Sequence, residues 1–184
     1  MAREIFISVT HADAGLAEAL SDAMKALFGA IVRVYFSPSK ELEGGIRHGE
    51  DWFDWIARHV QQCDFALILI TPSSVQKPWI LWEAGAVYGV AIAKGREGQR
   101  KVRPLVYQID DAQIPSPIRE AKAQFKRSDS FGDAKNLFKE IIDYFRDELT
   151  TDQLSEAFAK LDKVIESYMV QIKIVLLKSQ LLEL

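Results

Sequence analysis

The run from Trp79 to Ala93 constrains this chain more than any other stretch: fifteen consecutive residues are apolar or glycine, with the single exception of Glu83. Pro78 just before it suits the first turn of a helix, where a missing N–H has no partner to lose. Ser73 or Ser74 upstream can cap that turn. A helix apolar on all sides belongs inside protein. Fifteen such residues with a carboxylate among them are too few to cross a bilayer. A carboxylate there is costly to bury unless it is paired or has a task, and burial raises its pKa. Trp79 and Glu83 lie four apart, so the indole and the carboxylate share one helix face. Gly85 and Gly89, also four apart, leave a flat stripe open to close approach by a strand or helix. Spacing alone leaves two readings of Glu83: a core carboxylate held by a buried arginine or a backbone donor, or a functional group.

The rest of the chain alternates strand and helix. Residues 4–9 form a short β-prone run that ends in the polar loop 10–13. Helical spacing then puts Leu16, Ala19, Leu20, Ala23, Met24 and Leu27 on one face, with Gly29 as the stop. A second strand covers 31–36. The loop 37–50 after it is rich in glycine and charge, and longer than compact domains carry without a purpose. A helix over 51–62 turns Trp52, Trp55, Ile56, His59 and Val60 inward. The nearly uninterrupted apolar run 64–71 predicts a central parallel strand covered on both faces, with Cys63 beside it as an inert packing residue.

After the organising helix comes a basic turn, 94–103, read as a solvated connector rather than a phosphate site. A fourth strand spans 102–109, with Pro104 hinting at an irregularity or an edge. A short helix over 118–124, a brief edge strand over 125–127 and an amphipathic helix over 130–149 complete the alternation. The pattern predicts an α/β fold: a doubly wound, flavodoxin-like, five-stranded parallel sheet flanked by helices. Ligands bind such sheets at the carboxyl ends of the strands. Here that rim holds residues 8–11, 36–49 and 71–79.

Composition excludes several classes. A net charge of -3 provides no bulk attraction to nucleic acid or to an anionic membrane. The single cysteine rules out an internal disulfide, and the three scattered histidines do not make a zinc pattern. Met1 runs almost directly into an apolar strand without a basic leader, so the chain reads as cytoplasmic. The loop after the first strand has neither a G-x-G-x-x-G nor a Walker lysine, and no G-x-S-x-G elbow occurs. A response regulator would end its third strand in aspartate, where this chain has Ile70-Thr71.

Three segments together resemble a TIR (Toll/interleukin-1 receptor) domain of the bacterial, NAD-cleaving kind. They are Ile5-Phe6-Ile7-Ser8 in the first strand, the long loop after the second strand, and Trp79-x-x-x-Glu83 on the third helix. The resemblance covers about residues 3–149, and the domain is drawn as 1–149. It implies cleavage of the bond between nicotinamide and ribose, with linear or cyclic ADP-ribose as product and antiviral defence as setting. NAD enters as substrate, and no cofactor or metal is implied. The family's catalytic glutamate falls on Glu83 and its motif tryptophan on Trp79. Its nucleotide pocket falls on Ser8, Thr10 and His11, with Phe36 and Ser37 at the entrance to the BB loop.

The chemistry suits those residues. Nicotinamide leaves as a neutral molecule from a cationic ring, so a strong acid is not required. A carboxylate that stabilises an oxocarbenium-like ribosyl centre is. Phe36 and Trp79 would stack on the rings. Two alternatives remain: a non-catalytic TIR adaptor that docks other TIR domains, and a nucleoside deoxyribosyltransferase-like enzyme.

The tail, 150–184, lies outside the resemblance. Leu154, Phe158, Leu161, Ile165, Tyr168, Ile172, Val175, Ser179 and Leu182 alternate spacings of four and three, which makes a heptad seam. The helix either folds back on its own domain, packs in a multi-helix bundle or leads into further sequence. The expectation is a homo-oligomer formed through the BB loop and this helix.

Overall fold

The computed structural model of the chain describes residues 2–36, 51–93, 101–116, 119 and 126–182. The strands are β1 (Arg3–Ser8), β2 (Val32–Tyr35), β3 (Phe65–Ile70), β4 (Lys101–Val106) and β5 (Lys126–Arg127). The helices are α1 (Ala14–Phe28), α2 (Trp52–Gln62), α3 (Pro78–Ala93), α4 (Phe131–Tyr144) and α5 (Thr151–Leu182). All strands pair in parallel in the order β2-β1-β3-β4-β5, the flavodoxin-like arrangement. The expected long loop 37–50 and most of the short helix over 118–124 lie outside the described residues.

The expectation of five strands needs correction at one edge. Four strands of four to six residues carry the sheet, and β5 is a two-residue pairing. The cause lies partly in β4. Tyr107 donates its N–H to Ile70 on the β3 side, and Ser128 donates to the Val106 carbonyl on the other. Strand alternation therefore turns the nitrogen of Pro104 toward β5, where it has no proton to offer. Pairing begins only at Leu105↔Lys126. Pro104 marks the foot of a short edge pairing rather than an edge strand.

Alternation divides the core into two layers. Ile5, Ile7, Phe65, Leu67 and Leu69 face α1, α4 and α5, while Phe6, Ala66 and Ile68 face α2 and α3. Every residue of β3 is buried, as the apolar run predicts. Cys63 is buried in the α2–α3 layer. Trp55, Ile56, His59 and Val60 of α2 are buried as the spacing predicts.

Among the described residues helix α3 is buried along one side. Ile80, Glu83 and Val87 are buried, but Trp82 is 42% exposed. Among the described residues nothing lies within 4 Å of a Cβ built on Gly85 or Gly89. Among the described residues, then, no neighbouring element packs on the glycine stripe. Among the described residues no helix is long and apolar enough to cross a membrane.

The tail helix joins the larger layer. Ala157, Leu161, Ile165, Tyr168 and Ile172 are all at most 3% exposed, in one cluster with residues of α1 and α4. Of the seam, Leu161, Ile165, Tyr168 and Ile172 are thus buried within the chain, Leu154 and Val175 are half-buried and Phe158 is exposed, while the side chains of Ser179 and Leu182 lie outside the described residues. Val170, Ile174 and Leu177 stay on the outer face. Near its far end α5 approaches α1 closely: a Cβ on Gly15 would come within 2.9 Å of Val175 Cγ2, so any side chain there would have to push Val175 aside. Beneath the seam the hydroxyls of Tyr107 and Tyr168 share a hydrogen bond of 2.8 Å. Burial pushes both phenols well above their ordinary range.

This hydroxyl pair ties the tail to the sheet and is open to test. Tyr168→Phe leaves the Tyr107 hydroxyl without its partner and is expected to cost about 1–3 kcal/mol. The double variant Tyr107→Phe/Tyr168→Phe removes both polar groups and should cost less than the two single changes added together. Urea unfolding of the three variants measures this, and strictly additive costs would show that the pair is not coupled.

Candidate active site

The crevice where the strand order reverses, between the carboxyl ends of β1 and β3, collects the polar side chains of the sheet's upper rim. Ser8 closes β1, and even-numbered residues of that strand point toward α2 and α3. Glu83 lies one turn into α3 and points back at the sheet. The Ser8 hydroxyl donates to Glu83 Oε2, and the Trp79 indole N–H donates to Glu83 Oε1. Ser8 is 1% and Glu83 3% exposed. Among the described residues the partners are thus a hydroxyl and an indole, with no arginine or backbone donor on the carboxylate.

Burial dominates the electrostatics of Glu83 and pushes its pKa up to about 7, while the bonds from Ser8 and Trp79 pull the other way. Among the described residues no charged side chain contributes to this shift. Trp79 also stacks on Trp82, with ring centroids 4.6 Å apart and planes inclined by 26°. One carboxylate, dry and held at both oxygens, can stabilise a developing positive charge in front of it.

A second cluster sits beside the first. Asp13 is buried, and its Oδ2 accepts hydrogen bonds from Thr10 Oγ1 and Thr71 Oγ1, each at 2.7 Å, and from Ser73 Oγ. Ser74 does not cap α3. Its hydroxyl accepts from the Thr71 N–H and donates to the Leu69 carbonyl, both at 2.9 Å, which closes the turn between β3 and α3. The sequence reading missed Asp13, Thr71 and Ser73. The signal was a carboxylate at the foot of α1 facing a Thr-Pro-Ser-Ser turn.

The expected pocket residues separate. Ser8, Trp79 and Glu83 come together. Thr10 is half-buried with its hydroxyl turned to Asp13 and Ser73, and His11 is exposed on the following turn. Phe36 is placed elsewhere: it is 3% exposed in the layer with α1, α4 and α5, on the face of the sheet away from Glu83. Strand parity explains this, since Phe36 continues the alternation of Val32 and Val34. It is removed from the ring-stacking role. Ser37 and the rest of the BB-loop segment lie outside the described residues. A groove of about 310 Å³ between α1 and α5, lined by Ala23, Lys160, Lys163 and Tyr168 among others, also lies on the face away from Glu83.

Fold and site together define a doubly wound parallel-sheet protein with a buried carboxylate at its switch point. The sequence model of the TIR domain matches residues 5–142, and the chain belongs to the TIR-domain family. None of the curated proteins matches it in sequence. Among solved structures it is similar to the TIR domains of the activated Roq1 resistosome directly recognizing the pathogen effector XopQ. That match has 15% identity and a TM-score of 0.42, over 90% of this chain and 84% of the other.

The raised pKa of Glu83 carries a stability consequence. Below about 4.5, its ordinary value, the group is protonated in both folded and unfolded chains and costs nothing. Between about 4.5 and about 7 the unfolded chain releases the proton while the folded chain keeps it, so stability falls as pH rises. The full penalty is about 3 kcal/mol at ~1.4 kcal/mol per unit. Glu83→Gln carries no such penalty. Its stability relative to the wild type should therefore improve by about 3 kcal/mol between about pH 4 and about pH 8. Denaturant unfolding at the two pH values reads the margin, and an unchanged margin would contradict the assignment.

Proposed function

We propose that this chain cleaves the glycosidic bond between nicotinamide and ribose in NAD, with Glu83 as the catalytic carboxylate. The observation that carries the reading is the state of Glu83: buried at the strand-end crevice, with a donor on each oxygen. The bond from ribose C1′ to the pyridinium nitrogen breaks, and its electron pair stays with nicotinamide, which leaves neutral. The ribosyl centre becomes cation-like and is stabilised by the ionised Glu83, acting across space or as a transient nucleophile. Water then adds at C1′ and gives up a proton, yielding ADP-ribose; attack by a group of the adenine instead gives a cyclic product.

Ser8 and Trp79 fix the carboxylate before substrate arrives, so little reorganisation is needed in the transition state. The cationic nicotinamide ring favours the ionised form of a group poised near neutrality. With Phe36 excluded, ring stacking falls to Trp79 and its partner Trp82. The biological role that follows is depletion or conversion of NAD in antiviral defence.

A second reading is a TIR module that only docks other proteins, and the exposed Val170, Ile174 and Leu177 on α5 favour it. Release of nicotinamide from NAD separates the two. Glu83→Gln keeps the size and removes the charge, and is expected to lower the rate by roughly 10²–10³-fold while the protein stays folded. A folded Glu83→Gln variant with full turnover would overturn the catalytic reading.

A further inference from the structure

We infer that Asp13 is the positioning residue of the Glu83 site, holding the loop after β1 against the turn that leads into α3. Ladder pairing between β1 and β3 stops at Ser8↔Ile68. Past that point the two segments continue as loop 9–13 and turn 71–77, and among the described residues no backbone hydrogen bond joins them. The cluster on Asp13 does. Thr10 belongs to the first segment, Thr71 and Ser73 to the second, and all three hydroxyls converge on one carboxylate oxygen. Thr10 Oγ1 and Ser73 Oγ also lie 3.0 Å apart, which closes the cluster directly across the gap.

Each segment passes this restraint to one half of the site. Thr10 is two residues from Ser8, which grips Glu83 Oε2. On the other side, Val75 N–H bonds to the Thr71 carbonyl, Lys77 N–H to the Ser74 carbonyl and Ile80 N–H to the Lys77 carbonyl. That chain runs unbroken into the start of α3, the helix that carries Trp79 and Glu83. The Ser8–Glu83 bond runs from the last ladder residue of β1 to α3, beside that gap. Without Asp13, the loop and the turn that flank it would be joined only through the Thr10 and Ser73 hydroxyls. A buried carboxylate is a costly way to hold a turn, and an apolar contact would serve stability as well. What the carboxylate adds is one fixed point to which three separate groups are registered.

The kinetic part of the test rests on the NAD-cleaving reading; the titration part does not. In Asp13→Asn the side chain keeps its size but exchanges the carboxylate for an amide, whose one uncharged oxygen holds the three hydroxyl donors more weakly. Three readouts apply: thermal melting, nicotinamide release, and the titration of the Glu83 carboxyl carbon by ¹³C NMR without substrate, assigned with Glu83→Gln. Folded Asp13→Asn is expected to show kcat lowered roughly ten- to hundredfold, with KM changed much less. Its Glu83 titration should move up by about half a pH unit or more, because the Ser8 donor is loosened. The direction discriminates, since removing a nearby negative charge alone would move the titration down.

If the wild type releases no nicotinamide but the titration rises in Asp13→Asn, the NAD reading fails and the positioning role stands. If the wild type is active and Asp13→Asn matches it in kcat and titration, the positioning role is overturned and the NAD reading stands. Should Asp13→Asn fail to fold, Ser73→Ala removes one of the three donors. A smaller rise in the Glu83 titration is then expected, and an unchanged titration overturns the inference.

Discussion

Glu83 is a carboxylate taken out of water at the end of a parallel sheet, with an indole from its own helix on one oxygen and a strand-end hydroxyl on the other. Burial alone would drive such a group to the neutral form, and two donors oppose it without fully compensating. The result is a group poised near neutrality. The surrounding architecture makes this state possible. Alternation along β1 sends Ile5 and Ile7 to one layer, and Phe6 and Ser8 to the other. The reversal of strand order between β1 and β3 opens the crevice into which Glu83 points.

The opposite layer supplies rigidity. Helix α5 lies against α1 and α4 with five side chains buried, and Tyr168 reaches through to Tyr107 just past the end of β4. The tail is thus part of the hydrophobic core that covers this face of the sheet. Among the described residues of this helix, Phe158, Val170, Ile174 and Leu177 are the large apolar side chains left exposed for contacts with other molecules.

Much of this was legible in the sequence where the signal is local. The all-apolar run 64–71 is readable as a doubly covered strand, and Trp79 with Glu83 as one helix face, because period and spacing are properties of the element itself. Phe36 was legible too, since its parity with Val32 and Val34 turns it away from Glu83; the family resemblance obscured that. The tail marks a real limit. A heptad seam has the same spacing whether it meets a second chain or α1 and α4 of its own. The Ser8–Glu83 bond joins residues 75 apart, and the Asp13 cluster spans a comparable separation. Neither leaves a periodic trace, because only the closed sheet brings their segments together.

If one ionised, buried carboxylate carries the chemistry, activity must follow its titration. The most direct measurement is kcat/KM for nicotinamide release from NAD across neutral pH, which reports ionisations of the free enzyme. A rise with pH through a single ionisation near the value of about 7 held by Glu83, followed by a plateau, is the expected result. A profile that is flat, or that falls as Glu83 ionises, would contradict a role for its charged form.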